Sequence, residues 1–312
     1  MDEIDFAPST WYNPFVHRLS FQWVMLKFTY WETWKMTIFI ASAFSKNNIG
    51  GNKAGVCLLG EALNEQQKIE IAKQLGFSET AYISAGENGF KLEYFTPAEE
   101  VPLCGHATIA SFIVMRDKLA LVKDTYIIET KSGDLNVTLD GDMVFMEQNK
   151  PQFFETLSKM DVAKCFDIDV ASEEFPIEIG STGLRDIMLP VRNLDILEAM
   201  NPNFDEISSI SQKFGVVGIH AFSVIGERVV CRNFAPLFDV PEESATGTSN
   251  CVLASYLWRN KIVRKSEYVF EQGYTLGSPS EIMVRLSASG NAIDEVLVGG
   301  KGYLVGEKLV NI

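Results

Sequence analysis

From residue 36 onward the chain breaks into short apolar blocks separated by turn signals, and the spacing inside each block separates strand from helix. Residues 36–44 (MTIFIASAF) read as a first strand. Residues 64–75 (NEQQKIEIAKQL) place their apolar positions on one side of a helix, and Gly76 supplies the stop signal. Residues 77–83 (FSETAYI) read as a turn leading into a strand, and 92–95 as another strand. Residues 106–118 (HATIASFIVMRDK) are apolar on nearly every side, the pattern of a buried helix. Strands follow at 125–130, 135–139 and 143–147, divided by Ser132-Gly133-Asp134 and Asp140-Gly141-Asp142. Beyond Pro151 the scheme returns: a helix at 204–214, strands at 218–225 and 228–234, and an apolar helix at 249–261.

The return is visible in the letters. Phe95-Thr96-Pro97 followed by Val101-Pro102 matches Phe234-Ala235-Pro236 followed by Val240-Pro241 at a constant offset of 139. Each pair precedes a glycine-containing turn, Cys104-Gly105-His106 or Thr246-Gly247-Thr248, and then a helix. A duplicated unit predicts two similar lobes, 36–150 and 151–294, with a ligand cleft between them and a last strand near 295–312 returning to the first lobe. The first 35 residues stand apart. They hold Trp11, Trp23, Trp31 and Trp34 and ten of the 35 aromatic residues, without a clean period, and are expected to lie outside the fold.

Composition narrows the function. With 27 Lys and Arg against 41 Asp and Glu, the net charge of −14 repels phosphate backbones and anionic lipid. No nucleic-acid partner is expected, and no membrane partner, since no stretch has the length of apolar sequence a span requires. The five cysteines, odd in number and without a CxxC pair, point to reduced thiols and a cytoplasmic protein. Histidine is scarce (His17, His106 and His220) and no cluster has metal-ligand spacing, so no metal site is predicted. GxGxxG, GxSxG and a P-loop are missing, and no cofactor is expected.

The remaining chemistry lies at element ends. Glu79 leads into an apolar strand, where it is either a solvated turn residue or a desolvated carboxylate fit for proton transfer. Gly105 and His106 open a helix whose free N–H groups attract an anionic group. His106 there is either a local cap or a proton handler. Gly247 and Thr248 open the corresponding helix behind Glu242-Glu243. Two such helix starts facing one cleft would hold a small anionic substrate, with Glu79, His106 and Glu243 as proton carriers.

Together these segments resemble the phenazine-biosynthesis isomerase family (PhzF-like proteins), within the diaminopimelate-epimerase-like superfamily. The matching pieces run in family order from about residue 36 to 305: Gly51-Asn52-Lys53-Ala54 (family GNPA), Ser78-Glu79-Thr80-Ala81 (SETA), Leu103-Cys104-Gly105-His106-Ala107-Thr108 (LCGHAT), Ser181-Thr182-Gly183-Leu184 (STGL) and Glu242-Glu243-Ser244-Ala245-Thr246-Gly247-Thr248 (EDPVTGS). The resemblance implies an α+β fold of two similar lobes. Each would be a curved, mostly antiparallel sheet around a central helix, with the active site between them. It also implies a cofactor-independent, dimeric isomerase that moves a proton along a dihydro-hydroxyanthranilate ring. On this likeness Glu79 is the acid/base, supported by His106 and Glu243. Asn52, Ser78, Gly105, Thr182, Gly183, Gly247 and Thr248 line the substrate. The chain departs from the family with Glu243 for Asp, Ser244 for Pro, which would loosen that turn, and Lys53 for Pro. Two other readings stay open. One is a cofactor-free epimerase or racemase using Cys104 and a second cysteine, for which Cys251 lies too far into its helix; the other is a binding or interaction protein that kept the fold.

Overall fold

The computed structural model describes residues 35–58, 63–87, 89–119 and 121–312. The expectations placed on the four tryptophans of the first 34 residues lie outside the described residues.

The first half contains β1 (Lys35–Ala43), β2 (Asn52–Leu58), α1 (Glu65–Leu75), β3 (Thr80–Ala85), β4 (Phe90–Phe95), the two-residue β5 (Glu100–Val101), α2 (Gly105–Leu119), β6 (Thr125–Thr130), β7 (Gly133–Asp140) and β8 (Met143–Gln148). The second contains β9 (Gln152–Leu157), the short α3 (Lys159–Val162), β10 (Ile177–Ser181), β11 (Arg185–Pro190), α4 (Leu194–Ala199), α5 (Phe204–Phe214), β12 (Gly218–Ile225), β13 (Arg228–Ala235), β14 (Val240–Glu243), α6 (Gly247–Arg259), β15 (Glu267–Gln272), β16 (Ser280–Ser289) and β17 (Ala292–Gly300). The chain ends in β18 (Gly302–Asn311).

Strand pairing repeats between the halves. In the first, β2 pairs β3 in parallel, β3 pairs β4 antiparallel, β4 pairs β6 in parallel, and β6–β7–β8 continue antiparallel. In the second, β11–β12, β12–β13, β13–β15 and β15–β16–β17 follow the same directions in the same order. Even the register agrees at the offset of 139: Thr80 faces Phe95, and Ile219 faces Phe234. The halves exchange strands at the seam, where β17 pairs β8, while β18 crosses back to lie against β1. The remaining ladders are antiparallel, so the fold is α+β with a mostly antiparallel sheet of the diaminopimelate-epimerase type.

The two apolar helices explain how the sheet closes. Every residue of α2 from His106 to Met115 is buried, and α6 is buried throughout from Ser249 to Leu257. A helix without a polar face needs cover on all sides. Strands β1, β2, β8 and β18 supply it for α2, and β10, β11, β16 and β17 for α6. Small residues such as Ala107, Ala110 and Ser111 let the strands approach, while Phe112 fills the space with no exposed surface. Burying one such ring contributes roughly 2–3 kcal/mol.

The outer helices are set by their caps. Asn64 and Gln67 form a reciprocal capping box on α1, which Gly76 ends at φ +73°. Asn203 accepts from Glu206 N–H to start α5, and Gly215 closes it at φ +62°. Residues 77–79 form the turn that the sequence predicts, and β3 begins at Thr80. Two boundaries differ from the sequence reading. Gly133 already belongs to β7, because Thr130 Oγ1 donates to its carbonyl and tightens the turn. The last long helix spans Gly247–Arg259 rather than 249–261, because Thr246 takes the extended N-cap backbone and the helix starts at once behind it.

Candidate active site

Four residues predicted from sequence meet where the starts of α2 and β2 approach the end of β14. His106, the second residue of α2, is 5% exposed. Its Nε2 lies 3.3 Å from Glu79 Oε2 and its Nδ1 lies 3.7 Å from Glu243 Oε1. One imidazole therefore stands between two carboxylates, one on each ring nitrogen. Asn52, at the start of β2, donates from Nδ2 to Glu243 Oε1 at 2.9 Å and to the Ala245 carbonyl at 3.2 Å. Glu79 precedes β3, and its carbonyl accepts from Gly55 N–H, which fixes that backbone to β2.

The environment sets the charges. Burial lowers the His106 pKa, and the nearby Glu79 carboxylate only partly opposes this. The imidazole is therefore neutral and has one N–H to give. Cys104 Sγ lies 3.5 Å from His106 Nδ1. Burial, reinforced by Glu79, holds that thiol well above its ordinary pKa, so the thiol keeps its proton. Burial also drives Glu243 up to about 8, with further push from Glu79 and Asp186, against the opposing hydrogen bonds from Thr246 and Asn52. Glu79 Oε2 is a buried oxygen that makes no hydrogen bond of good geometry. The site thus presents a proton-bearing acid on one side of the imidazole and an undersatisfied carboxylate oxygen on the other.

Glu79, Cys104 and His106 also bring one donor atom each within 4.8 Å of one another. Such a set suits a thiophilic divalent ion when its sulfur is a thiolate. Without such an ion the Cys104 thiol holds its proton, and a bound ion would displace it.

The other predicted residues fall into two groups. Thr182 Oγ1 donates to the Thr248 carbonyl at 3.2 Å, tying the Ser181–Leu184 turn to the first turn of α6, and Gly183 N–H is taken by Ser181 Oγ. Their hydrogen bonds go to each other rather than to the carboxylates. Ser78 is exposed in the turn before Glu79. The two helix-start glycines differ: a Cβ on Gly105 would meet only the Met146 methyl at 3.6 Å, whereas one on Gly247 would meet Phe44 at 3.3 Å and Val298 at 3.4 Å. Gly105 leaves open space, and Gly247 lets α6 pack closely. Ser244, in place of proline, does not loosen its turn, because its hydroxyl donates to the Gly51 carbonyl across the site at 3.0 Å.

Sequence reasoning missed Thr246 and Gln272. Thr246 Oγ1 donates to Glu243 Oε2 at 2.6 Å, and Gln272 Nε2 donates to the Glu243 carbonyl at 2.8 Å and to Thr246 Oγ1 at 3.0 Å. Thr246 was visible as part of a helix-start turn. Gln272 ends an apolar strand with nothing beside it in sequence to link it to the site.

The fold agrees with comparison to known proteins. A family described as "Phenazine biosynthesis-like protein" (PhzC-PhzF) matches residues 41–308. The "Uncharacterized isomerase YfhB" of Bacillus subtilis (strain 168) is 30% identical over 275 residues, spanning 84% of this chain and 94% of that protein. The "Phenazine biosynthesis-like domain-containing protein" of Homo sapiens is 31% identical over 257 residues, spanning 76% and 88%. Among solved structures, the Bacillus anthracis phenazine biosynthesis protein of the PhzF family superposes with a TM-score of 0.82 at 26% identity, covering 89% of this chain and all of that one. The protein is thus of the class built on the diaminopimelate-epimerase-like fold. Within that class, the chain belongs to the PhzC-PhzF family.

Proposed function

We propose that this protein is an isomerase that moves a proton between two carbons of a small anionic substrate without a cofactor, with Glu79 as the acid/base. The observation that carries the reading is the placement of Glu79 and Glu243 on opposite nitrogens of one buried imidazole. A shift of a proton within one molecule needs a group that takes it from one carbon and returns it at another, and no electrons leave the substrate. Glu79, whose Oε2 lies 3.3 Å from His106 Nε2 and makes no hydrogen bond of good geometry, is the acceptor. The His106 N–H steadies the carboxylate while it is charged, and Glu243, protonated up to about pH 8, can donate to negative charge developing on the substrate. The free N–H groups at the start of α2, beside the open space at Gly105, suit a substrate carboxylate.

A two-cysteine epimerase finds less support, since Cys104 is the thiol beside His106 while Cys251 is fully buried inside α6. We place the enzyme in the cytoplasm on the strength of its unpaired, buried cysteines, and as a homodimer by likeness to its family. No described helix is long and apolar enough to cross a membrane.

The test is proton NMR in D₂O of trans-2,3-dihydro-3-hydroxyanthranilate with the wild type and with Glu79→Gln. Rearrangement by the wild type and its loss in a folded Glu79→Gln variant are expected. A variant retaining more than about 1% of wild-type turnover removes Glu79 as the base. If neither folded protein acts, this substrate is rejected and other small acids are to be tried.

A further inference from the structure

Glu243 is held by a hydrogen-bonded chain in which each proton has one allowed position. Gln272, the last residue of β15, has no exposed surface. Its amide cannot be flipped. On one side the Glu243 carbonyl, which can only accept, takes a bond from Nε2 at 2.8 Å. On the other the Thr246 backbone N–H, which can only donate, gives to Oε1 at 3.3 Å. Asn250 Nδ2 also gives to Oε1 at 3.0 Å, and Asn250 is itself oriented by its 2.8 Å bond to the Thr246 carbonyl. The second amide hydrogen of Gln272 then falls on Thr246 Oγ1 at 3.0 Å. Accepting that bond leaves the Thr246 hydroxyl proton for Glu243 Oε2, 2.6 Å away, whenever Glu243 is ionised and can only accept.

The lock extends inward. Asn250 Oδ1 faces His220 Nε2 at 3.3 Å, and His220 Nδ1 faces the Asn233 amide nitrogen at 3.2 Å, an arrangement that fits the neutral imidazole with its proton on Nε2. Burial agrees, lowering His220 to about 4. The strand end is fixed too. Gly273 follows at φ +81°, and a Cβ there would meet the Ser278 and Ser244 carbonyls at 2.3 and 2.6 Å.

We propose that Gln272 is a positioning residue for Glu243: its amide sets the direction of the Thr246 hydroxyl, so that the ionised Glu243 carboxylate meets a donor on Oε2 while Asn52 supplies one on Oε1. This rests on the reading of Glu243 as a proton carrier, but its test needs no substrate. The protein is labelled with ¹³C at the glutamate carboxyl carbons, Glu243 is assigned from the signal lost in Glu243→Gln, and its titration is followed by NMR. Gln272→Met, which cannot donate, is expected to move the Glu243 midpoint upward by about one to two pH units, the size of one charge-assisted hydrogen bond. Thr246→Val, which removes the hydroxyl but suits the extended N-cap backbone, is expected to do the same. Adding Gln272→Met to Thr246→Val should then change nothing more. The other groups facing Glu243, namely Glu79, His106, Cys104 and Asp186, are untouched in all three variants.

An unmoved midpoint in folded Gln272→Met overturns the proposal, as does an equal further shift on top of Thr246→Val. If Gln272→Met does not fold, an unmoved midpoint in Thr246→Val is sufficient to overturn it. Absence of isomerase activity would leave these titrations standing, so the two readings fail separately.

Discussion

His106 can give its single N–H to only one carboxylate at a time, and the asymmetry around it decides the division of labour. Glu243 titrates at about 8 in the fold, against 4.5 when freely solvated. Its pKa is raised by folding, so the stability tied to it is whole below about pH 4.5 and is lost as pH rises towards 8. At about 1.4 kcal/mol per unit this amounts to a few kcal/mol. Glu243→Gln has nothing to ionise. Urea midpoints of the wild type are therefore expected to fall between pH 6 and 8, while those of Glu243→Gln stay level; parallel curves would contradict the assignment. Below that window buried Asp186, raised to about 6, and buried His220, lowered to about 4, pull the stability of both proteins in opposite directions as pH changes. Glu79, His106 and Glu243 were legible in the sequence because polar residues at the ends of apolar elements stand out, and Asn52 only through likeness to the family. Thr246 and Gln272 escaped, since orienting a hydroxyl depends on partners that lie far apart in the chain and meet only when the strands pair.

At the scale of elements, the beginnings of α2 and α6 look alike in sequence but serve different ends. Gly247 is hemmed in by Phe44 and Val298, so its missing side chain serves helix–sheet packing. Gly105 has room, and its missing side chain is of use only to something that approaches from outside. Gly105→Ala is accordingly expected to keep or slightly raise the melting temperature, since alanine favours the helix, while raising KM or lowering kcat at least tenfold. A stable variant with unchanged kinetics would remove Gly105 from the substrate path. The helix α5 was legible to the residue because Asn203 and Gly215 punctuate an amphipathic run. Strands β10 and β11 were not, because strands covered on both faces lose the alternation that marks an edge of the core: Ile177–Ser181 is buried at every position and Arg185–Pro190 at all but the first.

At the scale of the molecule, the offset of 139 in the letters reappears as a repeated order of strand pairings, so that repeat was legible in the sequence. The exchange of strands was less so, because pairing partners for a C-terminal strand cannot be read from its own pattern. β18 lies along the whole of β1, from Lys35 opposite Asn311 to Ala43 opposite Gly302, and also packs on α2. Removing residues 302–312 would strip one edge of β1 and uncover part of that helix. The shortened protein is expected to be insoluble or molten by near-ultraviolet circular dichroism; a cooperative unfolding transition close to that of the full chain would show β18 to be dispensable.

The pairing of β1 with β18 also sets a clock. A ribosome adding roughly 5–20 residues each second needs on the order of tens of seconds to travel from the first strand to the last. Throughout that time the nascent first half carries an open strand edge, the feature from which unwanted association between chains begins. Completion of the fold therefore waits until β18 has left the ribosome, and a cell making this protein quickly must shelter the unfinished chain until that strand has emerged.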